Sequence, residues 1–247
     1  MSSGTNESTG TPGRVILGFD TATPDTAVAI SGEGEAAERA IGPREDGRPV
    51  HNSALLPAIE ELVDVAGGWD AVGLIAVGVG PGSFTGLRIG IATARGLAQT
   101  RGIAIAAVPS LSALAAGIAA TPAAAGRTPL AVIDARRGEV FAALAPGTER
   151  AEPSEPVVCP PEELAARIGP EALGSAIAGG DGAVRFRPEF EAAGALVLPG
   201  GDAANHLSAR WICELGAGIE PVAPELIRPM YLRRPDAERW RERDGRN

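Results

Sequence analysis

One pattern occurs twice in this chain and limits its architecture. Residues 14–30 read RVILGFDTATPDTAVAI, and residues 129–144 read PLAVIDARRGEVFAAL. Each is an apolar strand that ends on an aspartate, a short polar turn and a second apolar strand. Asp134 takes the place of Asp20. Two halves that open the same way imply a duplicated α/β domain, joined through the small-residue stretch TPAAAGRTP at Thr121–Pro129. At 247 residues the chain has room for two such units and a sizeable core. Aromatics are only 4% of it, so Ala, Val, Leu and Ile must fill that core.

Between the copies, alternating patterns predict a strand at 26–32 and a third near 36–42. Leu55, Ile59 and Leu62 recur at helical spacing, and Pro57 places the start of that helix near Ser53. A strand at 71–80, a helix from the following turn to about Arg101, a strand at 102–109 and a helix opened by Ser110 complete the first half. In the second half helices are expected near 161–168 and 203–216, and strands near 175–178 and 195–198. The expected division is a disordered tail at 1–13, an N-terminal lobe at 14–108, a C-terminal lobe at 109–235 and a charged tail at 236–247.

The segment GVGPGSFTGLRIG, from Gly78 to Gly90, holds five glycines between a strand and a helix. Such a turn often cradles phosphate, but it matches neither specific pattern. A P-loop needs a second glycine five residues after the first and then lysine, and the chain has no lysine at all. The dinucleotide pattern fails because its third glycine would fall on Thr85. A generic anion at the helix N-terminus stays open. The favoured reading is a tight turn that lets helix and strand approach closely. On a helical wheel Phe84, Leu87, Ile91, Ala94 and Ala98 form one stripe, with Arg88, Arg95 and Gln99 beside it. Little of the circumference is strongly hydrated. Two packing faces follow, one against its own sheet and one against either another part of this chain or another molecule.

Reactive groups are few. His51 and His206 are far apart and in no zinc-binding spacing, and Cys159 and Cys213 lack local activators. Ser83 is not in a nucleophile elbow. Asp20 and Asp134, at strand ends, are the best candidates for holding Mg²⁺ through water, with Thr21 and Thr23 suited to phosphate oxygens. Against this, Arg136 and Arg137 stand in the second turn where a phosphate loop needs small residues. Both aspartates can equally serve to cap their turns. The net charge of −9 argues against broad nucleic-acid binding, and no apolar run is long enough for a membrane span. Two cysteines and no signal peptide suggest a reducing cytoplasm.

The blocks LGFDTATPDTAVAI, LLPAI, GVGPGSFTGLRIGIATARGLA, VPSLSALA, VIDARRGEVFAAL and MYLRR, spread from Ile16 to Arg234, resemble the bacterial TsaB (YeaZ) family. The resemblance implies an actin-like ATPase (ASKHA) fold of two related lobes with βββαβα-type cores. It implies a subunit, without cofactor, metal or catalytic residues of its own, of the machinery that installs threonylcarbamoyl on N6 of adenosine 37 in tRNA. It further implies pairing with the catalytic homologue TsaD through the first two helices, an ATPase, TsaE, that joins the pair, and tRNA contact through the complex. Self-association is expected when the partner is absent. Leu55, Leu56, Ile59, Phe84, Leu87, Ile91 and Ala94, with Arg88 and Arg95 at the rim, are then the expected interface. Asp20, Thr21, Thr23 and Asp134 would be a vestigial nucleotide site. The alternative is a small-molecule kinase or ATPase that uses Asp20, Thr21 and Asp134. An older association with proteases would need a metal or nucleophile that the chain does not offer.

Overall fold

The computed structural model describes residues 15–32, 35–145 and 154–233. Both expected tails lie outside these residues.

The first sheet contains β1 (Val15–Asp20), β2 (Thr26–Gly32), β3 (Glu35–Ile41), β4 (Val72–Gly78) and β5 (Ala104–Val108) in the order β3-β2-β1-β4-β5. β1–β2 and β2–β3 are antiparallel, and β1–β4 and β4–β5 are parallel. The second sheet contains β6 (Thr128–Arg136), β7 (Glu139–Leu144), β8 (Val157–Cys159), β9 (Ala176–Gly179) and β10 (Leu196–Val197) in the order β10-β9-β6-β7-β8. Its pairings repeat the first in sense, antiparallel within β6–β7–β8 and parallel along β6–β9–β10. The repeat seen in the two Asp-turn segments thus extends to the whole sheet. This is the duplicated architecture of the actin-like fold.

The helices are α1 (His51–Val65), α2 (Phe84–Arg101), α3 (Ser110–Ala119), α4 (Leu164–Ile168), α5 (Pro170–Gly174), α6 (Asp181–Arg185), α7 (Arg187–Ala192) and α8 (Ala209–Ala217). α1 begins two residues before the expected start, which leaves Pro57 in its second turn. The missing N–H at Pro57 frees only the carbonyl of Ser53, a first-turn residue at the exposed helix end. The short helices α5–α7 and strand β8 lack a resolvable period and were not expected.

Strand alternation divides the first sheet into two unlike faces. One carries large side chains, Leu17, Phe19, Val28, Ile30, Ile75 and Val77, and packs on α1 and α2. The other carries Gly18, Ala27, Ala29 and Ala76, and lets α8 lie close. A methyl on Gly216 would meet the Ala76 side chain at 2.5 Å. In the second sheet Leu130, Val132 and Val140 face α4–α7, while Ala131, Ile133 and Phe141 receive Leu111, Leu114 and Ile118 of α3. α3 and α8 touch each other between the sheets.

The 109–235 lobe is therefore not contiguous in space. α8 and the segment behind it return to the first sheet: Val222 N–H donates to Ile105 O at 2.9 Å and Met230 N–H to Val79 O at 2.7 Å. The N-terminus of α8 is capped from the edge strand. Glu38 accepts from Ala209 N–H at 2.7 Å and from Ser208 Oγ at 3.0 Å, where a carboxylate also meets the positive end of the helix dipole. Glu38→Ala should cost about 1–2 kcal/mol, read as a lower midpoint in urea denaturation, with Glu38→Gln recovering part of the loss.

Candidate functional site

The aspartate at the end of β1 turns inward. Asp20 is 1% exposed. Its Oδ1 accepts from Ala22 N–H at 2.6 Å and its Oδ2 from Ser110 Oγ at 2.5 Å. Ser110 Oγ in turn accepts from Gly80 N–H at 3.0 Å. One carboxylate thus ties the β1–β2 turn, the glycine turn after β4 and the first residue of α3. Burial pushes its carboxyl above the usual range, against the lowering effect of its two donors. A side chain on Gly78 would occupy the space of the Asp20 carboxylate.

The glycine turn serves the same contact. Thr21 Oγ1 donates to Gly86 O at 2.8 Å, and Ser83 N–H donates to Ala22 O at 2.7 Å. A methyl on Gly86 would overlap the Thr21 carbonyl, and one on Gly90 the Thr21 hydroxyl. Glycine is needed so that the first turns of α2 can press on the β1–β2 turn. Ser83 caps α2 by accepting from Gly86 N–H at 3.2 Å. Thr21 is fully buried and Thr23 nearly so, and the Thr21 hydroxyl is spent inside the fold.

Asp134 is engaged differently. Its Oδ1 accepts from Arg136 N–H at 2.8 Å, and its Oδ2 meets Arg185 Nη1 at 2.8 Å and Arg136 Nη1 at 3.3 Å. Its own N–H donates to Asp181 Oδ1 at 3.0 Å, and burial pushes the Asp181 carboxyl up. The hairpin turn holds Arg136 at φ 64° and Arg137 at φ 59°, followed by Gly138 at φ 81°. Two arginines in the left-handed region carry about 1–2 kcal/mol of strain each, and both line the space between the lobes.

That space is a cleft of about 320 Å³, walled by Thr23, Ser83, Thr85, Asp134, Arg136, Arg137, Tyr231 and Arg233 among others. The Mg²⁺ that would accompany a nucleotide in this fold class finds no fit here. Mg²⁺ would need open carboxylate oxygens, but those of Asp20 are sealed behind Ala22 and Ser110, and those of Asp134 already accept from arginines. Among the described residues no three His, Cys, Asp or Glu side chains group as metal ligands. Asp20, Thr21 and Asp134 thus hold loops together. Ser110, Arg185 and Asp181 complete these networks; each lies 47 or more residues away from its partner, so no local pattern marks them.

The expected interface residues divide. Leu55, Ile59, Leu87, Ile91 and Ala94 are buried within the chain, a correction to their expected outward role. Their stripe is the core stripe of an amphipathic helix, and the wheel by itself does not say which stripe meets the sheet. Leu56 is 50% exposed. Arg88 is exposed, and Phe84 and Arg95 are half-buried. The outer row of α2 is Thr85, Arg88, Ala92, Gly96 and Gln99. At its start the Arg88 guanidinium lies 3.9 Å over the Phe84 ring, Phe84 packs on Tyr231 at 5.2 Å between centroids, and Arg88 Nε donates to the Tyr231 hydroxyl at 3.3 Å. Sequence reasoning missed Tyr231, which arrives from the returning C-terminal segment. No helix among the described residues is long and apolar enough to cross a membrane.

His51, at the start of α1, is buried with Nδ1 2.8 Å from Thr26 Oγ1, and Nε2 has no partner. Desolvation holds its pKa below the ordinary imidazole value, against the raising effects of Asp25 and the Thr23 backbone.

These features define an actin-like protein of two lobes whose strand-end carboxylates lock turns instead of binding metal. The family model described as "TsaD: tRNA N6-adenosine threonylcarbamoyltransferase" matches residues 41–178. The chain is 32% identical to the tRNA threonylcarbamoyladenosine biosynthesis protein TsaB of Escherichia coli (strain K12), over 94% of this chain and 99% of that protein. Two Pseudomonas aeruginosa structures superpose on 89% of this chain and all of theirs. One is described as an uncharacterized protein with similarity to peptidase YEAZ (TM-score 0.71, 29% identity), the other as YeaZ (TM-score 0.70, 28% identity). The chain belongs to the TsaB (YeaZ) family.

Two outcomes check the site. Asp20→Ala leaves the Ser110 hydroxyl and Ala22 N–H without their acceptor, and should cost about 2–3 kcal/mol in thermal or urea melts. The second concerns pH. The folded pKa of His51 is depressed, so between it and the unfolded value of about 6.5 the unfolded chain binds more protons. Stability is then full above about pH 6.5 and falls as pH drops towards the folded pKa. His51→Asn should flatten that slope relative to wild type in melts from pH 7.5 down to 5.

Proposed function

We propose that this chain is a non-catalytic subunit in the formation of N6-threonylcarbamoyladenosine at position 37 of tRNA. It pairs with a TsaD-type catalytic homologue, and a TsaE-type ATPase joins the pair. The tRNA is met through the complex, the chain works in the cytoplasm, and it needs no cofactor for this role. The observation that carries the reading is the state of its strand-end carboxylates. Groups that would hold a metal or activate a nucleophile are spent on internal hydrogen bonds, so the fold offers a surface and little chemistry.

The surface is the outward side of α1 and α2. Leu56 stands half exposed on α1, and Thr85, Ala92 and Gly96 on α2 leave room for a second backbone to come close. Phe84, Arg88 and Arg95 flank this area. Leu55, Ile59, Leu87, Ile91 and Ala94 support it from behind, in the core. Without the catalytic homologue the same apolar area favours self-association.

Charges on the two sides of these helices separate interface from core. Leu56→Asp and Ala92→Asp should leave stability within about 0.5 kcal/mol, yet weaken binding to the TsaD-type protein at least tenfold by calorimetry. Ile91→Asp buries a charge in the core and should lose several kcal/mol of stability. Wild-type affinity in both surface variants would remove this face as the interface. Full tRNA modification by TsaD- and TsaE-type proteins without this chain would remove the subunit role.

A further inference from the structure

We propose that the outer face of α1 and α2 docks a second copy of this chain about a two-fold axis that runs along the helices, and that opposite charges on the two helices set this orientation. The proposal rests on the reading that this face is an interface, and adds how the face selects what lies on it.

The two helices are charged with opposite sign. α1 holds Glu60, Glu61 and Asp64 and no arginine, whereas α2 holds Arg88, Arg95 and Arg101 and no acid. They lie side by side, α1 on β2 and β3 and α2 on β4 and β5. Glu61 Oε1 accepts from Arg39 Nε of β3 at 3.0 Å, so the acids line the flank towards that edge of the sheet. Arg88 bonds Tyr231 of the returning segment, which is itself tied to Ile105 of β5, so the arginines line the flank towards the opposite edge. Arg95 follows Arg88 two turns further along the same side. Between the flanks lie the exposed Leu56, Ala92 and Gly96, apolar or small.

The charges are available to a partner. The side chains of Glu60, Asp64 and Arg95 have no ion pair or hydrogen bond among the described residues. The Arg88 guanidinium meets only the Phe84 ring and the Tyr231 hydroxyl. The adjoining turn adds one charge of each sign, Glu225 and Arg228.

This layout is complementary to itself. A two-fold axis along the helices sets α1 of one copy on α2 of the other, and the acidic row meets the arginine row twice. An axis across the helices would set α1 on α1 and α2 on α2, where like charges repel. Each chain carries a net charge of −9, so two copies repel at a distance and need locally opposed rows to meet.

Sedimentation equilibrium of the full chain with two charge-reversed forms tests this. One form carries Glu60→Arg with Asp64→Arg, the other Arg88→Glu with Arg95→Glu. Wild type should self-associate, more weakly as salt rises. Each reversed form alone should associate at least tenfold more weakly, and an equimolar mixture of the two should return to near the wild-type constant. If a paired form does not fold, Asp64→Arg and Arg95→Glu singly, mixed in the same way, replace it. A wild-type chain that stays monomeric, reversed forms that associate as wild type does, or a mixture no tighter than its parts would overturn the proposal. Reversed forms that associate normally while Leu56→Asp does not would reject the charge rule and keep the face as an interface. Reversed forms that lose the TsaD-type protein but keep self-association would overturn the assignment to a second copy.

Discussion

The hydrogen bonds around Asp20 hold together the parts of the chain that the rest of the fold builds on. Its carboxylate receives Ala22 N–H and the Ser110 hydroxyl, and through Ser110 it reaches Gly80 N–H. Three segments far apart in sequence meet there: the turn after β1, the turn after β4 and the start of α3. Each is the exit of an element in the first lobe, and α3 is also the link to the second. The tie tolerates no bulk around it, which explains glycine at Gly78, where a methyl would displace the carboxylate, and at Gly86, where it would displace the Thr21 carbonyl. A buried carboxylate is costly unless its oxygens are bonded. Here both are bonded, and the consequence is a carboxylate that no metal can reach.

The two lobes then share a middle layer. α3 leaves the first lobe and packs on the second sheet, while α8 leaves the second and packs on the first. Small residues on the inner face of the first sheet make room for this exchange. The larger residues on its outer face anchor α1 and α2, so those helices have buried inner stripes and remain open on their outer sides. The second Asp turn closes off its carboxylate as the first does, by other means: Asp134 ends between Arg136 and Arg185, with its carboxylate oxygens taken up by arginines.

The duplicated fold was legible in the sequence because strands and turns are local patterns. β1, β2, β4, β5, α2 and α3 follow from alternation, helical spacing and the Ser110 start, and the glycine turn could be excluded as a P-loop from its own letters. In the second lobe α4, β9 and β10 lie where they were expected, but α5–α7 and β8 were not legible, since elements this short have too few residues to show a period. The family could be named from motif blocks spread along the chain. The tie of Asp20 to Ser110 could not, because its partners are 90 residues apart.

By itself, then, the sequence determined two related α/β lobes, the family and a shortage of reactive side chains, because composition and short-range periodicity encode these. Only the tertiary structure decided that Leu55, Ile59, Leu87, Ile91 and Ala94 turn to the core while Leu56 and Ala92 turn outward. Only it returned α8 and Tyr231 to the first lobe and set three arginines around one cleft. Which stripe of a helix meets the sheet, and which distant segments converge, depend on how the layers stack, and the energy of stacking is shared among residues that no local window contains.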